Sequence, residues 1–346
     1  MNMMTNLMTS INLIAGTIVT ASSHHWLMAW AGLELNMLSI LTFIMKPKNP
    51  RATEAAIKYF LTQTIASTMM LFSGTVNAIQ TGQWNISQMT DKYACTILIL
   101  AMTMKIGAAP IHFWLPEVMQ GSSTMTAMII ASWQKIAPIS ILFMTYNHLP
   151  PKIMVIIGIA SATIGGWGGI NQTQLRKLMA YSSISNIGWT MVIFTASPHT
   201  ATLNIAIYMI MIIPAFMLIK KMSLKTLRDS STTWTSSPLA STMLALMLLS
   251  LSGLPPLTGF APKILILNEL IMQNLTPIAT IMAMISLISL FFYVRTTYIT
   301  TMTTPPIMTL TSMKWRLTQS QQKLTSMLMP LSLMTLLITP ILTSMT

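Results

Sequence analysis

Four ionisable residues in this sequence lie where a charge is expensive. Glu34, Lys105, Lys135 and Lys263 each fall inside a mostly apolar stretch long enough to cross a bilayer. A charged side chain at mid-bilayer costs about 2.5–3.5 kcal/mol on insertion scales, so four in one chain are functional candidates by default. The chemistry open to amines and a carboxylate in such a place is proton exchange. Desolvation favours a neutral amine and a neighbouring carboxylate favours the ammonium, so pairing and unpairing with Glu34 would load or release a proton. One glutamate cannot neutralise three lysines; at least two must find water, carbonyl oxygens or a neutral state. The competing reading is that each charge pairs or snorkels as structural glue.

The neighbouring residues supply the hydration that such exchange needs. Lys105 precedes Gly107 and Pro110, and Pro110 cannot donate to the carbonyl of Ile106 while its ring crowds that turn, so the helix should break there. Lys263 follows Ser252-Gly253-Leu254-Pro255-Pro256-Leu257-Thr258-Gly259, a run that breaks its span in the same way. Pro138 is expected to free the carbonyl of Gln134, next to Lys135. Irregular backbone at membrane depth is tolerated only inside protein or facing a wet cavity. His112, just past the first break, is a secondary relay candidate, although a lone histidine is as readily a hydrogen-bonded packing residue. His24 and His25 sit at a span edge and His148 and His199 in loops, so no facing pair is available to ligate a haem. Glu117 and Glu269 fall nearer span ends, where solvation is the default. Gly165, Gly166, Gly168 and Gly169 read as close helix packing, since no following Lys-Ser/Thr completes a phosphate loop.

The elements that must position these residues are predicted as an all-α, polytopic membrane fold with about eleven transmembrane helices. Apolar stretches run over 1–21, 25–45, 56–80, 93–120, 124–146, 150–170, 176–196, 200–221, 238–273, 275–300 and 322–344. The fourth and ninth are overlong and interrupted by Pro and Gly. They stand five helices apart, an odd offset that reverses direction, which is the pattern of two inverted five-helix repeats, each with a discontinuous helix. The expected organisation is a single integral membrane domain: a first repeat over 1–148, a second over 149–300, a connection over 301–321 and a C-terminal helix over 322–346. Pro305-Pro306 and Lys314-Trp315-Arg316 suggest a short interfacial helix in that connection.

Sorting the loops alternately makes one side strongly basic. It collects Lys46, Lys48, Arg51, Lys58, Arg176, Lys177, Lys220, Lys221, Lys225, Arg228, Arg295, Lys314, Arg316 and Lys323, against Lys92 and Lys152 on the other. A bias of this size makes the side holding the amino terminus the cytoplasm-like or matrix face.

Composition narrows the classes further. Only 7% of the 346 residues are charged and 53% are hydrophobic, whereas a soluble domain carries roughly 25% charged residues. The net charge of +13 does not indicate nucleic acid, because the basic residues occupy short gaps between apolar runs rather than one polar face. Cys95 is the only cysteine, so the chain builds no intrachain disulfide or cysteine-based cluster. The amino terminus enters an apolar run without a basic n-region, Arg-rich segment or cleavage pattern, so its first helix is expected to be retained. Physical chemistry alone does not account for the 35 methionines.

Three stretches resemble a known family, the antiporter-like proton-pumping subunits of respiratory complex I, which are similar to subunits of cation/proton antiporters. They are Lys105-Ile106-Gly107-Ala108-Ala109-Pro110-Ile111-His112-Phe113-Trp114-Leu115-Pro116-Glu117, the run from Arg176-Lys177-Leu178 to Asn186-Ile187-Gly188, and Gly253-Leu254-Pro255-Pro256-Leu257-Thr258-Gly259-Phe260-Ala261-Pro262-Lys263. The resemblance covers essentially the whole chain and is strongest to the animal mitochondrial type, which lacks the first three of the family's usual fourteen helices. Excess Met and Thr fits a product of the mitochondrial genome. The resemblance implies that Glu34 pairs with Lys105, that Lys135 is the central relay and that Lys263 sits on the second broken helix. It also implies a multi-pass protein of the mitochondrial inner membrane, its N-terminus on the matrix side and its C-terminus in the intermembrane space.

The expected function is proton translocation coupled to electron transfer from NADH to ubiquinone. No cofactor is expected in this chain, NADH, FMN, iron-sulfur clusters and ubiquinone belonging to partner subunits. The expected partners are other membrane-arm and accessory subunits and phospholipid, cardiolipin included, with no nucleic acid. Two rivals have distinct marks: a sodium/proton antiporter subunit would show sodium-dependent transport without redox partners, and a non-pumping spacer would hold all buried charges paired in dry packing.

Overall fold

A computed structural model describes residues 3–231, 233, 237–255, 257–301, 330 and 332. The predicted connection over 301–321 and C-terminal helix over 322–346, with Lys314, Arg316 and Lys323, lie outside the described residues but for Thr301, Pro330 and Ser332.

Among the described residues the chain is helical throughout. Its helices are α1 (Met3–Ser22), α2 (Trp26–Met45), α3 (Pro50–Thr81), α4 (Lys92–Ile106), α5 (Trp114–Gly121), α6 (Thr124–Ala131), α7 (Ile136–Thr145), α8 (Pro151–Ile170), α9 (Leu175–Phe194) and α10 (Pro198–Lys221). They continue with α11 (Leu227–Ser231), α12 (Pro238–Ser252), α13 (Phe260–Met272) and α14 (Thr276–Thr301). Among the described residues, six helical segments are long and apolar enough to cross a membrane: Met4–Ser22, Trp26–Met45, Thr124–His148, Pro151–Ile170, Pro198–Lys221 and Thr276–Thr301.

Local sequence explains where the helices start and stop. His25 Nδ1 accepts from the Leu27 N–H at 3.2 Å, Asp91 from Ala94 at 3.1 Å and Ser123 from Thr126 at 3.4 Å, each satisfying one orphan donor of a helix start. Pro50 and Pro238 open α3 and α12, where a missing N–H costs nothing. The many Ser and Thr side chains return their hydroxyl protons to their own helices, as Thr20 does to Thr17 and Ser73 to Met70. A polar, uncharged residue is thereby tolerated where no water competes.

The two interrupted spans break where expected. α4 stops at Ile106 with Gly107 left-handed at φ +82°, and α12 stops at Ser252 with Gly253 at φ +80°. A Cβ is strongly disfavoured in that conformation, so glycine ends both helices. A third interruption stands at Lys135. A 3₁₀ turn over Trp133–Lys135 separates α6 from α7, and Pro138 sits in the first turn of α7. The proline offers no N–H to the Gln134 carbonyl four residues before it, and it is tolerated in the first turn of α7, where that N–H has no helical partner anyway.

The chain divides into two compact units, residues 1–161 with 191–198 and residues 162–190 with 199–346. In the first, α2 packs between α1 and α3, and α3 carries α4 and α5. In the second, α14 packs against α11, α12 and α13. The four glycines near the end of α8 are close-packing positions: a Cβ on Gly165 would stand 2.5 Å from the Ser185 backbone nitrogen, and one on Gly168 would stand 2.3 Å from the Tyr181 ring.

Candidate functional site

In the first unit Lys105 occupies the last turn of α4 with only 4% of its surface exposed. That end of a helix carries partial negative charge and favours a cation. The carbonyls freed by the break are reclaimed from outside the helix: Trp114 Nε1 donates to Met104 O at 3.1 Å and Gln63 Nε2 to Lys105 O at 3.4 Å. Glu34, part-buried on α2, acts electrostatically on Lys105 and on the Tyr59 phenol. Glu34 and Lys105 form no direct ion pair with each other, whereas Lys58 pairs with Glu54 at 2.5 Å and with Glu117 at 2.6 Å. Glu34 and Lys105 thus sense each other without being locked together.

Lys135 is 3% exposed at the end of its 3₁₀ turn. Its neighbour Gln134 donates through Nε2 to Tyr59 Oη at 2.9 Å, whereas Gln134 Oε1 is buried without a protein partner. A buried acceptor of that kind is ordinarily satisfied by water. His112, 3% exposed, uses Nδ1 locally, 3.2 Å from Pro110 O, and its ring lies 4.2 Å from that of Phe113. Its contacts hold the break loop together. Glu117 sits beside Lys58, fastening α5 to α3, and Lys58 also holds the exposed Glu54 carboxyl below its ordinary value, chiefly by hydrogen bonding.

In the second unit Lys263 lies in the first turn of α13 and reaches back across the break. Its Nζ donates to Ser252 O at 2.6 Å, on the last residue of α12. The ammonium position therefore falls at the C-terminal end of a half-helix, as at Lys105, although the lysine belongs to the other half. Gly253 makes room for it, since a Cβ there would stand 2.8 Å from Lys263 Nζ. The Trp189 ring centre is 5.9 Å from the same nitrogen. A cavity of about 20 Å³ adjoins Lys263, lined among others by Ser182, Asn186, Asn204, Tyr208 and Tyr293. Glu34, Lys105, Lys135 and His112 thus belong to one unit and Lys263 to the other.

Several residues here escaped the sequence reading because they carry no net charge. Tyr59 is fully buried, between Gln134 and the field of Glu34. Asn186 accepts from Asn204 at 3.0 Å. A signal for them existed in the spacing: Ser182, Ser185, Asn186 and Trp189 recur at helical intervals on one face of α9. Asn204 with Tyr208, and Ser289 with Tyr293, repeat at i and i+4. Polar residues on one stripe of an otherwise apolar helix mark a wet interior.

The model of the family "NADH:quinone oxidoreductase/Mrp antiporter, TM" matches residues 23–289, and that of the "NADH dehydrogenase subunit 2 C-terminus" matches 290–343. NADH-ubiquinone oxidoreductase chain 2 of Varanus timorensis is 50% identical over 343 residues, covering 99% of both chains. That of Coturnix japonica is 44% identical over 345 residues, covering 100% of both. Among solved structures, a chain of respiratory complex I from Thermus thermophilus superposes with a TM-score of 0.83 at 22% identity, over 96% of this chain and 79% of that one. A chain of the Mrp complex from Dietzia gives 0.76 at 17% identity, over 84% of this chain and 59% of that one. Broken helices with a lysine at each break, two family models that together span most of the chain, and full-length relatives agree: the chain belongs to the NADH:quinone oxidoreductase/Mrp antiporter transmembrane family.

Proposed function

We propose that this chain is a proton-translocating membrane-arm subunit of respiratory complex I, working in the mitochondrial inner membrane with its N-terminus on the matrix side. Glu34, Lys105, Lys135 and Lys263 form its relay. The observation that carries this reading is that all three lysines stand at helix interruptions, two at glycine-terminated breaks and one in a 3₁₀ turn. Irregular backbone of this kind is tolerated at membrane depth only inside protein or facing a wet cavity, and a cavity adjoins Lys263. The chain holds two inverted five-helix repeats and one further helix, eleven spans in all. The paired endings at Gly107 and Gly253 support that symmetry.

The driving step is electrostatic: charge arriving near Glu34 shifts the protonation of Lys105, which shifts that of Lys135 and then that of Lys263. Moving a proton against 100 mV costs about 2.3 kcal/mol, which the coupling must exceed for each charge. Redox chemistry on NADH, FMN, iron-sulfur clusters and ubiquinone belongs to partner subunits. Phospholipid, cardiolipin included, and accessory subunits cover the outer helix faces.

The test is Lys135→Met in the intact complex, a change that keeps length and removes the titrating group. Proton pumping and NADH:ubiquinone turnover should fall while NADH oxidation by an artificial acceptor at the flavin site is retained. An unchanged number of protons pumped per electron pair would remove Lys135 from the relay.

A further inference from the structure

The cavity beside Lys263 contains more proton-exchanging chemistry than the four charged residues supply. Ser182 on α9, Tyr208 on α10 and Tyr293 on α14 converge there with Lys263 on α13. Both tyrosines are 3% exposed and Ser182 is 1% exposed. The three hydroxyl-bearing side chains line the same cavity, and Ser182 acts electrostatically on both phenols, as Ser183 does on Tyr208. Ser182 donates its own proton to Met179 O at 2.6 Å, which leaves its oxygen lone pairs available to accept. Ser185 and Ser289, also lining the cavity, donate likewise to Ser182 O at 2.9 Å and Ser286 O at 2.8 Å. The cavity, about 20 Å³, exceeds the roughly 10–15 Å³ that one water needs, and its polar lining offers that water several partners.

We propose that Tyr208, Ser182 and Tyr293 form a hydroxyl wire that passes protons to and from Lys263 through a water in this cavity. The proposal rests on the relay reading of Lys263. Each hydroxyl can accept a proton on a lone pair and release its own, so it returns to neutral and no oxidant or reductant is needed. In the loading direction a proton reaches Tyr293 and displaces that phenol's proton onto Ser182. Ser182 turns its proton from the Met179 carbonyl to Tyr208, which releases one to the water and so to the neutral Lys263 amine. The lone pair of that amine becomes an N–H bond. Release runs the same bonds in reverse. Dry packing would call for phenylalanine at these two positions. Instead, two phenols share one serine, in a cavity where a buried hydroxyl is costly unless it is satisfied.

The experiment compares Tyr208→Phe, Tyr293→Phe and Lys263→Gln in the intact complex. It reads proton pumping, NADH:ubiquinone turnover, the solvent deuterium isotope effect and flavin-site NADH oxidation. Phenylalanine keeps the ring and removes only the hydroxyl. The expected result is a fall in pumping of about tenfold or more in both tyrosine variants, at or below the range typical of losing a proton-transfer group. The isotope effect should change and flavin-site activity should be retained. If Lys263→Gln loses pumping while both tyrosine variants pump at the parent rate, the wire is wrong and the lysine relay stands. If the tyrosine variants lose pumping with the isotope effect unchanged, the phenols only shape the cavity and the wire is again wrong. Full pumping by Lys263→Gln would overturn the relay reading and the wire with it.

Discussion

At the scale of single residues, the charges define the site but neutral partners hold it. Tyr59 shows the division of labour. It is fully buried, accepts from Gln134 beside Lys135 and lies in the field of Glu34. Removing its hydroxyl leaves the Gln134 amide wholly without protein partners, since Oε1 already has none. Tyr59→Phe should therefore destabilise the subunit by about 1–3 kcal/mol, the cost of an unsatisfied buried polar group, and adding Gln134→Leu should restore much of that loss. Thermal unfolding of the isolated complex, read across the double-mutant cycle, checks this; losses that simply add would mean the pair is not coupled. The lysines were legible in sequence because a charge inside an apolar run is conspicuous. Tyr59 was not, because a tyrosine in such a run looks like any other packing residue.

At the scale of elements, the breaks do more than interrupt helices. In one the lysine ends the first half-helix, and in the other it begins the second half and reaches back to Ser252. Gly253 serves this geometry twice, by its φ of +80° and by the space it leaves for Lys263. The two contributions can be separated with Gly82, which ends α3 at φ +71° with nothing within 4 Å of where a Cβ would go. Either glycine changed to alanine should cost about 1–2 kcal/mol of backbone strain. Only Gly253→Ala should also displace the amine, so it should lose pumping while Gly82→Ala keeps it. Proteoliposome pumping normalised to assembled complex measures the difference, and equal behaviour of the two would deny Gly253 its second role. Sequence located the breaks at Gly107 and Gly253 because glycine and proline act on the backbone locally. It located the third beside Lys135 because Pro138 has no N–H to offer the carbonyl of Gln134, which lies in the 3₁₀ turn before α7.

At the scale of the whole molecule, the uneven placement of basic residues predicts orientation. Lys46 and Lys92 are both exposed and stand on opposite predicted faces, while the sole cysteine, Cys95, is buried. An impermeant maleimide added to mitoplasts should therefore label Lys92→Cys and spare Lys46→Cys, and inverted membrane particles should reverse the result. Labelling of both from one side would break the topology. The asymmetry works at long range because lysines and arginines resist translocation wherever they lie in short loops, so it needs no tertiary contact to be read.

The sequence by itself determined the membrane setting, the helical class, the family and the four charged candidates, for each depends on residue type, local backbone chemistry or a linear pattern. Only the tertiary structure decided which neutral groups surround those charges. It showed Glu34 near Lys105 without an ion pair, Tyr59 bonded to Gln134, Lys263 capping Ser252, and two tyrosines meeting at Ser182 in a polar cavity. Most of these partners come from helices far apart in the chain, 75 residues apart for Tyr59 and Gln134. Hydrogen bonds need groups to meet within about 3 Å, and no periodicity along one helix specifies which residue of another will face it.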